Sequence, residues 1–417
     1  MSKSPEELYQ ERKKRYEDAV ALRVPDRVPI SIMWGFFPAR YSGITCQEYM
    51  YDYEKAMNAS IKAHEDFAPD VAESPFSTRV IGNVLDAVGF RQLKWAGRGL
   101  DVNTPYQFIE GEYMPPEEYD HFIEDPTDWI IRKYWPRVCS KLEGFKNLAP
   151  LKNLISYFFG MPFGFAAFGT EEVQEALEAL KNAGEASFKA ATYAQKFGQE
   201  MAKRGFPMRD GGCTQAPFDT LGDFFRGTRG LMMDMYRRPE KVLKALDVLT
   251  PWMIRMGVAD GKKTGNPRIF IPLHKGSDSF MSEEQFKTFY WPSLKKLILG
   301  LIDEGMNPSL FVESDHTSRL EIMRDVPPGK VIYHIENTDI FKAKEVLGDR
   351  VCLRGNVPIS MLCLGTPDDV KAYCKKLIDV VGKDGGFIMD ASVEISDAKI
   401  ENVKAMIDFT KEYGIYG

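Results

Sequence analysis

No apolar run in the 417 residues reaches the roughly 18–20 that a membrane-crossing helix needs, so a membrane protein is not expected. A basic excess is missing too. The net charge is -6 and the pI near 5.6, whereas nucleic-acid binders normally present a positive face. Cysteine is sparse and scattered. The six (Cys46, Cys139, Cys213, Cys352, Cys363, Cys374) include no C-x-x-C pair, which argues against a disulfide framework and an all-thiolate zinc site. Neither a P-loop nor a G-x-G-x-x-G occurs, so no nucleotide cofactor is expected. The start, Met1 to Glu7, does not resemble a signal peptide, and cytoplasm is the expected compartment. No short internal repeat or low-complexity tract is present.

What is present is a recurring event in the last third. Short apolar runs at 309–312, 330–333, 350–353 and 386–389 each end abruptly in polar side chains. These are Glu313, Asp315 and His316, then His334 and Glu336, then Arg354 and Asn356, then Asp390 and Ser392. Helix-like stretches separate the runs, the pattern of parallel strands delivering functional groups to one rim. The pattern predicts an α/β chain folded as a TIM (β/α)8 barrel, whose chemistry sits at the C-terminal strand ends. Predicted strands cover 30–33, 268–273, 309–313, 330–335, 350–354 and 386–390. Predicted helices cover 4–22, 47–66, 171–204, 232–236, 239 into the 250s, 282–304, 317–324, 340–346, 366–381 and 397–413. Residues 1–417 read as a single barrel domain, with 70–150 as an elaboration.

Because side chains alternate faces along a strand, Glu313 and Asp315 should share one face, and His334 and Glu336 another. These four then read as metal ligands from neighbouring strand ends, with Asp390 in reserve. One imidazole among carboxylates suits Zn²⁺; the alternative is a hydrogen-bonded polar rim without metal. His274, Lys275 and Asp278 also follow a strand and could orient a substrate oxygen or move a proton, or else form a capped turn before Ser282. The aromatic stretches at 34–41 and 157–168 could roof a flat substrate through Trp34, Phe36, Phe37 and Phe163, with core packing as the alternative. His64 and His121 read as surface residues, and His316 as structural.

Several segments together resemble the uroporphyrinogen decarboxylase superfamily: Asp26 to Pro29, the Gln215 to Phe218 loop, Ser282 to Pro292, Arg354 to Pro358, Leu364 to Val370, and the closing Ile400 to Met406. The resemblance spans nearly the whole chain and implies a TIM barrel. Its decarboxylase branch binds tetrapyrrole carboxylates with a Gln-Ala-Gly-Arg segment after the first strand; this chain offers Ala39, Arg40 and Tyr41 there. Its cobalamin-dependent methyltransferase branch holds zinc through a His-x-Cys pair and a later cysteine. Glu313-Ser-Asp315 and Val393 stand at those places. Carboxylates and imidazole favour an oxygen-seeking ion over one that binds thiolate. The resemblance therefore implies O-demethylation of a methoxylated aromatic ether, with the methyl group passed to cobalamin on a separate corrinoid protein. In that assignment Glu313, Asp315, His334 and Glu336 hold zinc, and His274, Lys275, Asp278 and Asp390 assist catalysis. Trp34, Phe36, Phe37, Arg40 and Phe163 hold the substrate. A homodimer is allowed. Two rival enzymes remain: a decarboxylating lyase, with Arg40 and Arg354 binding carboxylate, and a methylcorrinoid:thiol methyltransferase. A third rival is a non-catalytic ligand-binding barrel.

Overall fold

Six parallel strands run side by side in chain order: β4 (Gly212–Cys213), β5 (Arg268–Leu273), β6 (Asn307–Val312), β7 (Ile332–Ile335), β8 (Cys352–Arg354) and β9 (Phe387–Ile388). They belong to a computed structural model that describes residues 3–155 and 158–417. Tyr157, which opens the second aromatic stretch, lies outside the described residues, as do Met1 and Ser2 at the start. Two extended segments complete the ring. Ile30 bridges Met389 in parallel, with Ser31 N donating to Met389 O at 3.0 Å. Asp70 N donates to Ile30 O at 2.9 Å, and Ala72 bridges Met208 just before β4. The result is a closed TIM barrel.

Strand alternation builds its layers. Tyr333, Leu353 and Met389 point outward into the main core, where the surrounding helices pack. Ile332, Cys352 and Ile388 point inward and meet Tyr16, Ala19 and Val20 of the opening helix Pro5–Val20, which plugs the barrel floor. One step further along each strand, His334, Arg354 and Asp390 fill the interior with polar groups, each at most 1 % exposed.

Five of the predicted strand cores are present, within about two residues at their ends, while the predicted strand 30–33 is reduced to the single bridge at Ile30. The stretch 47–66 is two helices, Cys46–Tyr51 and Tyr53–Phe67, broken at Asp52, whose Oδ1 accepts from Glu54 N and Lys55 N at 3.0 Å. The helix from Pro239 continues through Pro251 to Thr264. Within the elaboration, β1 (Leu93–Ala96), β2 (Gly99–Leu100) and β3 (Tyr106–Phe108) form a small sheet in the order β2-β1-β3. Among the described residues no helix is long and apolar enough to cross a membrane.

Candidate functional site

His274 and Lys275 follow β5 directly, and a buried carboxylate fixes their backbone. Asp219 accepts from His274 N at 2.9 Å, from Lys275 N at 3.0 Å and from the Tyr290 hydroxyl at 2.8 Å. One turn later Asp223 reaches the side chains: Oδ2 lies 2.6 Å from His274 Nδ1 and Oδ1 3.0 Å from Lys275 Nζ. Lys275 also donates to Thr228 Oγ1 at 2.9 Å. Glu313 approaches from the other side, its Oε1 3.5 Å from His274 Nε2. Asp223 and Tyr290 lie in π-helical turns, Leu221–Arg226 and Phe286–Tyr290, a distortion frequent at functional sites.

The electrostatics follow from this crowding. Burial opposes the charge on His274, but hydrogen bonds to Asp223 and Glu313 and the charge of Asp219 outweigh it and push the pKa up to about 11. Burial raises Asp219 to about 6 against the pull of His274. Burial would raise Asp223 too, but His274 and Lys275 hold it below the ordinary carboxylate value. At neutral pH His274 is an imidazolium with Nδ1–H committed to Asp223 and Nε2–H turned toward Glu313. Its side chain is 38 % exposed, so a ligand can reach it.

The four expected metal ligands are not brought together. Glu313 faces His274. Asp315 Oδ1 accepts from Thr317 N at 2.8 Å and Thr317 Oγ1 at 2.6 Å, closing its own turn. Glu336 accepts from Ser314 N. His334 points into the barrel, Nε2 2.8 Å from Ala391 O and its ring 4.8 Å from Phe311. Burial, then the charge of Arg354, hold its pKa well below the usual imidazole value. Among the described residues no three His, Cys, Asp or Glu side chains group as metal ligands. The zinc assignment to Glu313, Asp315, His334 and Glu336 therefore does not fit. The physical reason is local: β6 ends at Val312, and Ser314 turns to φ 63°, so the two-residue alternation fails where it was applied.

Other assignments change as well. Asp278 accepts from Ser318 N and Oγ at 2.9 Å and lies 3.3 Å from Arg319 Nε, so it laces two loops together instead of facing a substrate. Asp390 is fully buried, accepting from Arg354 Nε at 2.7 Å and Ala391 N at 2.7 Å, which makes it a structural ion-pair partner. Trp34, Phe36 and Phe37 are buried core residues; Trp34 Nε1 donates to His64 Nε2 at 2.9 Å. His64 is accordingly buried, not a surface residue. Arg40 donates to the Ala398 carbonyl. Phe163, by contrast, is 83 % exposed. The five expected substrate residues thus do not line one cavity. Asp219 and Asp223 were missed; their four-residue spacing, which puts two carboxylates on one face of a turn, was the available signal. A groove of about 680 Å³ beside Leu22, Arg324, Asp349 and Gly385 lies at the opposite, N-terminal strand ends.

The sequence pattern of the uroporphyrinogen decarboxylase (URO-D) family matches residues 174–413. A uroporphyrinogen decarboxylase of Chlorobium phaeovibrioides is 30% identical over 139 residues, 32% of this chain and 39% of that protein. The Chlorobaculum parvum uroporphyrinogen decarboxylase is 25% identical over 183 residues, 43% of this chain and 51% of that protein. The chain thus spans about half or less of the length of these curated relatives. A methyltransferase from Methanosarcina mazei superposes with a TM-score of 0.62 at 18% identity, covering 96% of this chain and 98% of that one, a likeness of fold. With more than half of its length matched, the chain belongs to the uroporphyrinogen decarboxylase (URO-D) family.

Proposed function

We propose that the chain is a methyltransferase that removes the methyl group of a methoxylated aromatic ether and passes it to the cob(I)alamin of a separate corrinoid protein. The observation that carries this reading is His274: a reachable imidazolium held between Asp223 and Glu313 at the rim. An aryl methyl ether is inert because its leaving group is a phenoxide. A proton donor at the ether oxygen removes that obstacle. A phenol titrates near 10, close to the value of about 11 for His274, so donor and leaving group are matched for proton transfer. The docked reduced corrinoid supplies the nucleophile that takes the methyl group, while the electron pair of the broken C–O bond stays on oxygen. His274 Nε2 gives that oxygen its proton, and Glu313, partly exposed, returns one from solvent. Lys275 balances Asp223, and Asp219 fixes the backbone of both. In this reading residues 1–417 work as one barrel domain, and residues 70–150 furnish part of the rim. No step passes through zinc, because the donors do not converge.

The lyase reading needs Arg40 and Arg354 free for carboxylates. Arg354 is buried against Asp390 and Arg40 is held by the Ala398 carbonyl, which supports the transferase reading instead. The test is anaerobic incubation with reduced cobalamin and a panel of methoxybenzenes, following the visible spectrum of the corrinoid. The unaltered protein should convert at least one methoxybenzene, and His274→Gln should lose more than about 100-fold in rate. An unchanged spectrum with every donor, or a His274→Gln variant at full rate, removes the proposal.

A further inference from the structure

The Tyr290 hydroxyl donates to Asp219 Oδ2 at 2.8 Å, the same oxygen that accepts from His274 N at 2.9 Å. Lys275 N donates to Oδ1 at 3.0 Å. All three neighbours donate, so Asp219 fits as a carboxylate; a proton on it would find no acceptor among them. Its surroundings oppose the ion all the same. Asp219 is buried, and burial raises its pKa to about 6; Asp223 adds to this, while His274 and the Tyr290 hydroxyl hold it down. The other charged neighbours are Lys275, whose Nζ pairs with Asp223, and Glu313, on the far side of His274. His316 packs against Gly276 beside the Tyr290 ring, and burial pulls its pKa down to about 4. Tyr290 itself is fully buried, its ring 5.3 Å from Phe286 and 5.5 Å from Phe218. A Cβ on Gly276 would stand 2.6 Å from that ring, so glycine is what lets the loop after His274 pass it. Burial, then the charge of Asp219, hold the Tyr290 phenol well above its ordinary pKa, and it stays a donor across the neutral range.

We infer that Tyr290 is a positioning residue: its hydroxyl keeps Asp219 ionised, and ionised Asp219 holds the His274–Lys275 backbone where proton transfer needs it. This rests on the methyl-transfer reading above and gives that reaction an acid limit. Rate is full above the Asp219 pKa and falls as pH drops through it, because the protonated acid releases an amide. His274 is still an imidazolium there, so the loss belongs to Asp219 and not to the proton donor. Removing one hydrogen bond to the carboxylate disfavours the ion and raises its pKa by about one unit.

The experiment compares the unaltered chain with Tyr290→Phe, which keeps the buried ring and removes only its donor. Two quantities are followed from about pH 5 to 9. One is kcat/KM for a methoxybenzene with reduced cobalamin. The other is the carboxyl-carbon NMR signal of isotope-labelled aspartate, with Asp219 assigned through Asp219→Asn. In the unaltered protein both should turn near pH 6. In Tyr290→Phe both should move up together by about one unit, with kcat/KM at the alkaline end within threefold and the melting temperature confirming the fold. Should the variant not fold, the unaltered protein still decides: an Asp219 signal that titrates more than about one unit from the kinetic limit overturns the inference. Unmoved profiles in the variant, or a shift in one quantity alone, overturn the role of Tyr290 and leave methyl transfer standing. No conversion of any methoxybenzene at any pH overturns the methyl-transfer reading and this inference with it.

Discussion

A solvent-facing histidine titrates near 6.5, and the site depends on His274 departing from that value. Its acid form persists because carboxylates surround it, the nearest being Asp223 at 2.6 Å. The sign of the consequence is definite. A reaction that uses the imidazolium is active below its pKa and loses rate as pH rises through it, so the alkaline limit should lie near pH 11. Asp223→Asn removes the strongest charged partner and should bring that limit down by one or more pH units, as seen in kcat/KM between pH 7 and 12. Superimposable profiles would contradict this. His274 and Lys275 were legible in the sequence because they directly follow an apolar run. Asp219 and Asp223 offered only their four-residue spacing, because they lie on helical turns remote in sequence and acquire meaning only when β5 folds against them.

At the scale of elements, local chemistry decided most boundaries. Asp52 divides what periodicity reads as one helix, since its carboxylate gives the second helix's first amides an acceptor that continued helix could not. Asp52→Ala should cost about 1 kcal/mol in urea unfolding, with an unchanged m-value. A loss below about 0.3 kcal/mol would mean that tertiary packing alone holds the break. The π-turns at Leu221–Arg226 and Phe286–Tyr290 have no counterpart in the hydrophobic pattern. Each adds a residue to a turn and re-aims a side chain, a change too small to disturb periodicity and large enough to bring Asp223 and Tyr290 to the site.

For the whole molecule, the decisive contact is buried. Arg354 at the end of β8 and Asp390 just after β9 pair through Nη2 at 2.6 Å, and Asp390 also accepts from Met33 N at 3.3 Å on the first barrel segment. One carboxylate thus ties together both sides of the seam where the ring closes. Burial raises the Asp390 pKa while Arg354 and Arg209 pull it down, so the charged pair is balanced only when complete. Arg354→Met should destabilise the barrel by about 3–5 kcal/mol, because it strands a buried carboxylate. Arg354→Met with Asp390→Leu should recover most of that loss in chemical denaturation. A double variant as unstable as the single one would show that packing, not charge, closes the seam.

The sequence by itself determined the barrel, the order of its later strands and the rim on which its polar groups stand, because alternation and strand–helix spacing are local properties. Which of those groups meet was decided by tertiary structure alone. Past Val312 and Ile335 the strands end and each side chain follows its own loop: Asp315 closes its own turn, while Glu336 and Glu313 meet partners tens of residues away. That is how Glu313 came to face His274, whereas His334 still lies within β7, whose alternation turns it into the barrel.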